Sequence, residues 1–349
     1  MAECPDVARE RGRPRCGPRL LCVDAGRAAH SLTPPAVGAM SGGRPECGRP
    51  LIDREVEGAR MGSRARRIAS ASVALAALGV WGSALSAQLA PANGGGVSIS
   101  AVYLTVRDPE VHASLWRDLF HVSVVPFGSA QLVRFPGVFL VLERGEPSEG
   151  SNGASVDHQG FLVPSYLAAK DLLTARGVPV FSESAENKQV TFTFPDGVKI
   201  EFSEATDLSV PIAHHHIHMF VPDRENVRGW YARTFGAVPS ARGNFISAIF
   251  PGEGLFSGAG ACGQEAGDYR CPRIDFANAQ SARPTNTGRS LNRIGLEVHD
   301  LDQFVGRLRG EGVTIEVGPQ DVPGLGVRRA VIVDPLGTRI ELTQGLAAK

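Results

Sequence analysis

Four histidines within five residues, His214, His215, His216 and His218, form the densest chemistry-bearing stretch of the sequence. Neutral imidazoles ligate divalent first-row cations, and the same rings can move a proton near neutral pH. The stretch reads as a strand, whose alternation predicts His214, His216 and His218 on one face and His215 on the other. The single histidines His112 and His121 flank a predicted helix, and His299 sits beside Asp300; these read as surface or helix-end residues. There is no Gly-rich phosphate loop ahead of a helix, no nucleophile elbow and no basic aromatic stripe. Nucleotide and nucleic-acid functions therefore have no positive support.

The elements that must position these residues recur along the chain. An alternating strand that ends at Asp and leads into a helical pattern occurs at 102–108 and again at 217–223, with helices predicted over 111–120 and 226–235. Asp108 and Asp223 are placed to accept from the free first-turn amides. Strands at 158–163 and 293–298 precede helices predicted over 165–176 and 301–310. Gly177 and Gly312 follow, as left-handed C-terminal caps require. Gly197 and Gly337 each open a last strand whose Glu, Glu201 or Glu341, lies four residues further on. Trp116 and Trp230 occupy matching helix positions and read as core packing.

The chain thus reads as four strand-helix-strand-strand-strand units over about 97–144, 155–205, 213–260 and 290–345, arranged as two tandem pairs. The Gly-rich stretch from Gly252 to Gly288 reads either as a lid or as a surface insertion.

Composition separates these units from what precedes them. Residues 1–60 carry ten Arg, four of the six Cys and none of the 23 aromatic residues, so this leader cannot bury a core. From Met61 the layout becomes that of a secretory signal peptide over 61–87. Arg64, Arg66 and Arg67 precede a short apolar run, and small residues lead to Gln88. An internal signal is explained if Met61 is the real initiator. The expectation is an exported protein, periplasmic or secreted, with no stable membrane anchor after processing.

The processed chain from Gln88 would hold 262 residues with 23 basic and 28 acidic side chains, too weak a field to argue for nucleic acid or an anionic membrane. Its two cysteines, Cys262 and Cys271, read equally as a disulfide or as two free thiols.

On these repeated strand-helix starts, the paired strands at His158 and Arg293 and the two Gly-x-x-x-Glu strands, the chain resembles the vicinal oxygen chelate superfamily of glyoxalases, bleomycin-resistance proteins and extradiol dioxygenases. The resemblance implies an α+β fold in which four βαβββ modules pair into two tandem glyoxalase-like domains, 97–205 and 213–345. Each would curl around a cleft that takes a small oxygenated molecule. It also implies a divalent metal (Fe, Mn, Zn or Ni) on two His and one Glu, with open positions for the substrate's oxygens.

Carried over residue by residue, the ligand positions fall on Ala101, His158 and Glu201 in the first half and on His216, Arg293 and Glu341 in the second. Tyr103 shares a strand face with Ala101 and is the available extra ligand or substrate contact there. In the second half His218 or His214 would restore the set with His216 and Glu341. The competing reading is metal-free: Arg293 cannot shed its proton to become a ligand, and beside Glu341 its guanidinium would take the cation's place or contact an anionic group. Two functions follow, a metal-assisted lyase, isomerase or dioxygenase and a small-molecule binding or sequestering protein with degenerate metal sites.

Overall fold

The computed structural model describes residues 89–242, 245–250 and 271–349, all within the compact unit Ala77–Lys349. The leader, the signal segment and most of the predicted lid lie outside the described residues. So does Cys262, whereas Cys271 is disulfide-bonded. No described helix is long and apolar enough to cross a membrane.

Four βαβββ modules follow one another. The first comprises β1 (Val97–Val106), α1 (Pro109–Phe120), β2 (Ser123–Phe127), β3 (Ala130–Arg134) and β4 (Phe139–Arg144). The second comprises β5 (Val156–Val163), α2 (Tyr166–Ala175), β6 (Val180–Ser184), β7 (Gln189–Thr193) and β8 (Lys199–Glu204). The third has β9 (Ala213–Val221), α3 (Arg224–Phe235), β10 (Val238–Arg242), β11 (Phe245–Ile249) and β12 (Arg273–Asn278). The fourth has β13 (Leu291–Val298), α4 (Leu301–Gly310), β14 (Thr314–Val322), β15 (Val327–Val333) and β16 (Arg339–Gln344).

The helix ends obey the local chemistry. The side chains of Asp108, Asp223 and Asp300 accept from first-turn amides at 3.0–3.1 Å. Gly177 and Gly312 take φ of 74° and 78° after α2 and α4. The third module runs further than its expected end near 260. Its last strand, β12, lies within the Gly252–Gly288 stretch expected to be a lid or a surface insertion, and it buries Ile274 and Phe276 beside β9.

The modules pair into two eight-stranded sheets of order β14-β15-β16-β13-β1-β4-β3-β2 and β10-β11-β12-β9-β5-β8-β7-β6. The partners are first with fourth and second with third, rather than neighbours in the tandem order 97–205 and 213–345. The pairing runs through the first strands, β1 against β13 and β5 against β9, both antiparallel. All four modules share one pattern, so nothing local in the pattern selects the partner.

One face of each sheet packs into a common core with the helices. There Trp116 of α1 stacks on Phe194 at 5.0 Å and meets Phe161 at 5.1 Å, tying the first module to the second. Trp230 is only half-buried, against Tyr231 and Phe235. The opposite faces of the two sheets form the clefts.

Each first-strand pair carries two register shifts. In β5–β9 the extra residues are Asp157 and His215; in β1–β13 they are Ser100 and Asn292. Such bulges re-aim side chains, and they overturn the simple alternation expected for the histidine run. His214 pairs with Phe161 and packs edge-on against that core ring at 5.3 Å, while His215 turns towards His216 and Arg273. Another expectation changes as well: His112 is buried, with Nε2 3.4 Å from Asp196.

Candidate functional site

Because the second module pairs with the third, His158 of β5 meets His216 and His218 of β9, with Glu201 of β8 beside them. One ring nitrogen from each of the three histidines lies within 4.8 Å of the others, and all three side chains are buried. His158 Nε2 is 3.1 Å from His218 Nδ1 and 3.6 Å from Glu201 Oε2, and His216 Nε2 is 3.8 Å from Glu201 Oε1. Ligands held at about 2.1 Å from one cation are separated by at most about 4.2 Å. The three contacts just given lie inside that limit, whereas the three histidine nitrogens as a set span up to 4.8 Å, so the rings must draw together to share an ion.

The surroundings orient the set. Asp157, aimed by the bulge, accepts from His158 Nδ1 at 2.8 Å and so turns Nε2 to the centre. The same carboxylate accepts from Lys199 Nζ at 2.5 Å, Arg283 Nη1 at 3.1 Å and the Gly153 amide at 3.0 Å. Glu201 Oε1 accepts from Gln189 and Ser203 at 3.0 and 3.1 Å. Arg273 Nη2 lies 2.8 Å from His215 Nε2, and since Arg can only donate, that nitrogen accepts. His215 Nδ1 in turn meets His216 Nδ1 at 2.9 Å. The His216 ring lies over Gly160, where a Cβ would come within 2.1 Å of Cε1.

Burial holds His218 neutral, with its pKa lowered to about 3, and pushes His216 well below its ordinary value. Both are therefore available as ligands. Burial also opposes charge on His158, but the hydrogen bonds to Asp157 and Glu201 outweigh it and raise its pKa. For Asp157 and Glu201, burial favours the neutral acid; the His158 hydrogen bond, with the neighbouring positive groups, outweighs it and keeps both ionised. Without a metal, the preferred arrangement is one imidazolium between two carboxylates.

The sheet of the first and fourth modules brings together the other expected residues, differently. Arg293 of β13 donates through Nε to Glu341 Oε2 at 2.5 Å and through both Nη atoms to Glu143 at 2.7–2.8 Å. Its guanidinium lies 4.1 Å from the centre of the Tyr103 ring. The ion pair expected with Glu341 is present. Three of the five Arg293 N–H groups are engaged with these two carboxylates. Burial, and next the Glu341 charge, raise the Tyr103 pKa, so its hydroxyl stays a neutral phenol.

Glu341, expected with His216 and His218, thus lies in the other sheet; the carboxylate beside those rings is Glu201. Asp157, Arg273 and Gly160 gave no sequence signal as site residues, and strand alternation sets His215 on the face away from His216. Asp157 precedes His158 in a strand and alternation alone sends it to the opposite face. A separate open groove of about 800 Å³ at Gly96, Phe235 and Phe304 contains none of these groups.

The two sheets correspond position by position. Gly160 lies between His216 and Glu201 in register, and Gly295 lies between Ala101 and Glu341. Counting from these glycines, His158 corresponds to Arg293, Asp157 to Asn292, His218 to Tyr103 and His214 to Ile99.

Residues 213–342 match the Glyoxalase/Bleomycin resistance protein/Dioxygenase superfamily. No curated protein matches the sequence. Glyoxalase I from Zea mays is similar in structure at 14% identity, with a TM-score of 0.54, covering 72% of this chain and 94% of that one. A Bacillus subtilis subsp. subtilis str. 168 protein named as a candidate dioxygenase is similar at 13% identity and TM-score 0.51, covering 74% and 86%. At such identities the likeness concerns the fold. The resemblance to the vicinal oxygen chelate superfamily therefore stands, carried by sequence over residues 213–342 and by fold across both sheets.

Proposed function

We propose that the sheet of the second and third modules binds a divalent first-row cation on His158, His216, His218 and Glu201 and uses it on a small oxygenated substrate. The observation that supports this is the meeting of three buried imidazoles, one nitrogen of each within 4.8 Å of the others, beside the Glu201 carboxylate. The donor set fits: two of the rings are held neutral, and His158 carries the carboxylate partner that metal-ligating histidines usually have. A bound cation would supply Lewis-acid polarisation of a carbonyl or of adjacent substrate oxygens, a step common to lyase, isomerase and dioxygenase reactions.

The chain's own residues do the rest. Asp157 fixes the His158 ring, Gly160 leaves room for the His216 ring, and Gln189 and Ser203 hold the Glu201 carboxylate. Phe220 and Phe245, packed on His218 at 4.9 and 5.1 Å, give the site an apolar flank for a carbon skeleton. Loading the site displaces the His158 proton, so affinity rises with pH until that ring is neutral. Processing at Gln88 and export belong to the same proposal; they rest on the 61–87 segment, and N-terminal sequencing of the native protein tests them.

The metal reading is tested by elemental analysis of protein purified without chelator and by titration with iron, manganese, zinc and nickel. One equivalent of metal is expected, lost in His158→Ala and retained in Arg293→Met. Absence of metal together with no thermal shift for any of the four ions would overturn the reading.

A further inference from the structure

We infer that Arg273 and His215 are positioning residues that set the tautomer of His216, placing its ring proton on Nε2, the nitrogen that faces Glu201, and so weakening cation binding through that ring. The inference rests on the metal reading of the second-and-third-module sheet and adds to it a control on loading. Arg273 of β12 is fully buried, and its Nη2 lies 2.8 Å from His215 Nε2. His215 Nδ1 lies 2.9 Å from His216 Nδ1, and His216 Nε2 is 3.8 Å from Glu201 Oε1. These contacts make one chain from the guanidinium to the centre of the site.

The direction of each hydrogen bond follows from the first. A guanidinium only donates, so His215 Nε2 is an unprotonated acceptor and the His215 proton sits on Nδ1. That N–H then donates to His216 Nδ1, which is an acceptor in turn. Burial keeps His216 neutral, so its single ring proton is on Nε2. His158 is held the other way: Asp157 accepts from its Nδ1, the arrangement that leaves Nε2 to a metal once its proton is displaced. For His216 Nε2 to offer a lone pair, its proton must pass to Nδ1. His215 must then accept at Nδ1 and carry its own proton on Nε2, and Arg273 must withdraw from that nitrogen. No proton is gained or lost; one charge-assisted hydrogen bond is given up. The counterparts of Arg273 and His215 in the other sheet are Phe139 and Ser100, so the relay is confined to the sheet that holds the imidazoles.

The test uses the full chain. Nitrogen NMR of the metal-free protein with isotope-labelled histidine reads which ring nitrogen carries each proton, and His216→Gln identifies the His216 signals. The proton is expected on Nε2 in His216 and on Nδ1 in His215. Arg273→Met should move the His216 proton towards Nδ1 and tighten cobalt(II) binding by about tenfold, the release of one hydrogen bond to a charged group. His215→Phe, a ring without nitrogens, should do the same and serves should Arg273→Met not fold. Arg273→Lys, still only a donor, should keep the parent tautomer and the parent affinity. A His216 proton on Nδ1 in the metal-free parent would overturn the inference, as would unchanged or weaker cobalt binding in both Arg273→Met and His215→Phe. A proton on Nδ1 alongside tight cobalt binding would sink this inference and leave the metal reading standing. No cobalt binding by the parent and the variants alike would overturn the metal reading, and the effect on loading with it.

Discussion

Two corresponding clefts hold a positive charge between two carboxylates by different means. Between the first and fourth modules the charge is Arg293, flanked by Glu341 and Glu143; between the second and third it is His158, flanked by Glu201 and Asp157. A guanidinium cannot give up its proton, whereas an imidazole can yield its place to a metal. One scaffold thus gives a fixed cation in one cleft and an exchangeable one in the other, and the walls follow suit. Ala101, Phe139 and Val141 line the fixed cleft, where His216, Arg273 and Asp275 stand in the exchangeable one.

The largest effect on this comparison is expected from removing the fixed charge. Arg293→Met leaves Glu341 buried beside Glu143 with no strong partner. Breaking such a pair from one side costs roughly 3–5 kcal/mol. Arg329, already 3.9 Å from Glu341, can swing closer, so urea unfolding should read a loss near the lower end, about 3 kcal/mol. A loss under about 1 kcal/mol would mean that the guanidinium does not stand in for a structural cation.

A smaller effect comes from making Asp157 resemble its counterpart Asn292. Asp157→Asn keeps the shape but removes the charge that orients His158. Metal affinity should fall by about 10–100-fold, the usual cost of losing such a partner. Competition titration against a chelator measures it, and cobalt(II) absorption checks that the remaining ligands still converge. Unchanged affinity would show that His158 is oriented by packing alone.

Much of this was legible in the sequence, and for local reasons. Asp108, Asp223, Gly177 and Gly312 act within one helical turn, so their roles follow from residue type and spacing. Glu201 and Glu341 hold one place in the repeat, four residues after a Gly that opens the last strand, and the family resemblance implies a carboxylate ligand at that place. What escaped depends on contacts between distant segments. The partner of each module is set by pairing across some 60 to 190 residues, such as His158 with His218 and Tyr103 with Arg293. That pairing moved Glu341 away from His216. The bulges, too, belong to a strand pair rather than to a strand, which is why Asp157 and His215 reached the cleft while His214 did not.

His214 gives the smallest expected effect and tests the last of these points. Its corresponding residue in the other sheet is Ile99, fully buried in the same core. Neither His214 nitrogen has a hydrogen-bond partner among the described residues, and burial lowers its pKa to about 3. The unfolded chain takes up this proton near pH 6.5 and the folded chain only near 3, so the ring withdraws stability as pH falls between those values. One unit below the ordinary pKa, at about pH 5.5, the penalty is of the order of 1 kcal/mol. His214→Ile removes it. The variant's stability relative to the parent should therefore be about 1 kcal/mol more favourable at pH 5.5 than at pH 8, whatever its constant packing difference. Urea unfolding at the two pH values measures this double difference, in which the other titrating groups cancel. A difference of zero would place the His214 ring in contact with water, and the bulge at His215 would then fail to turn it into the core.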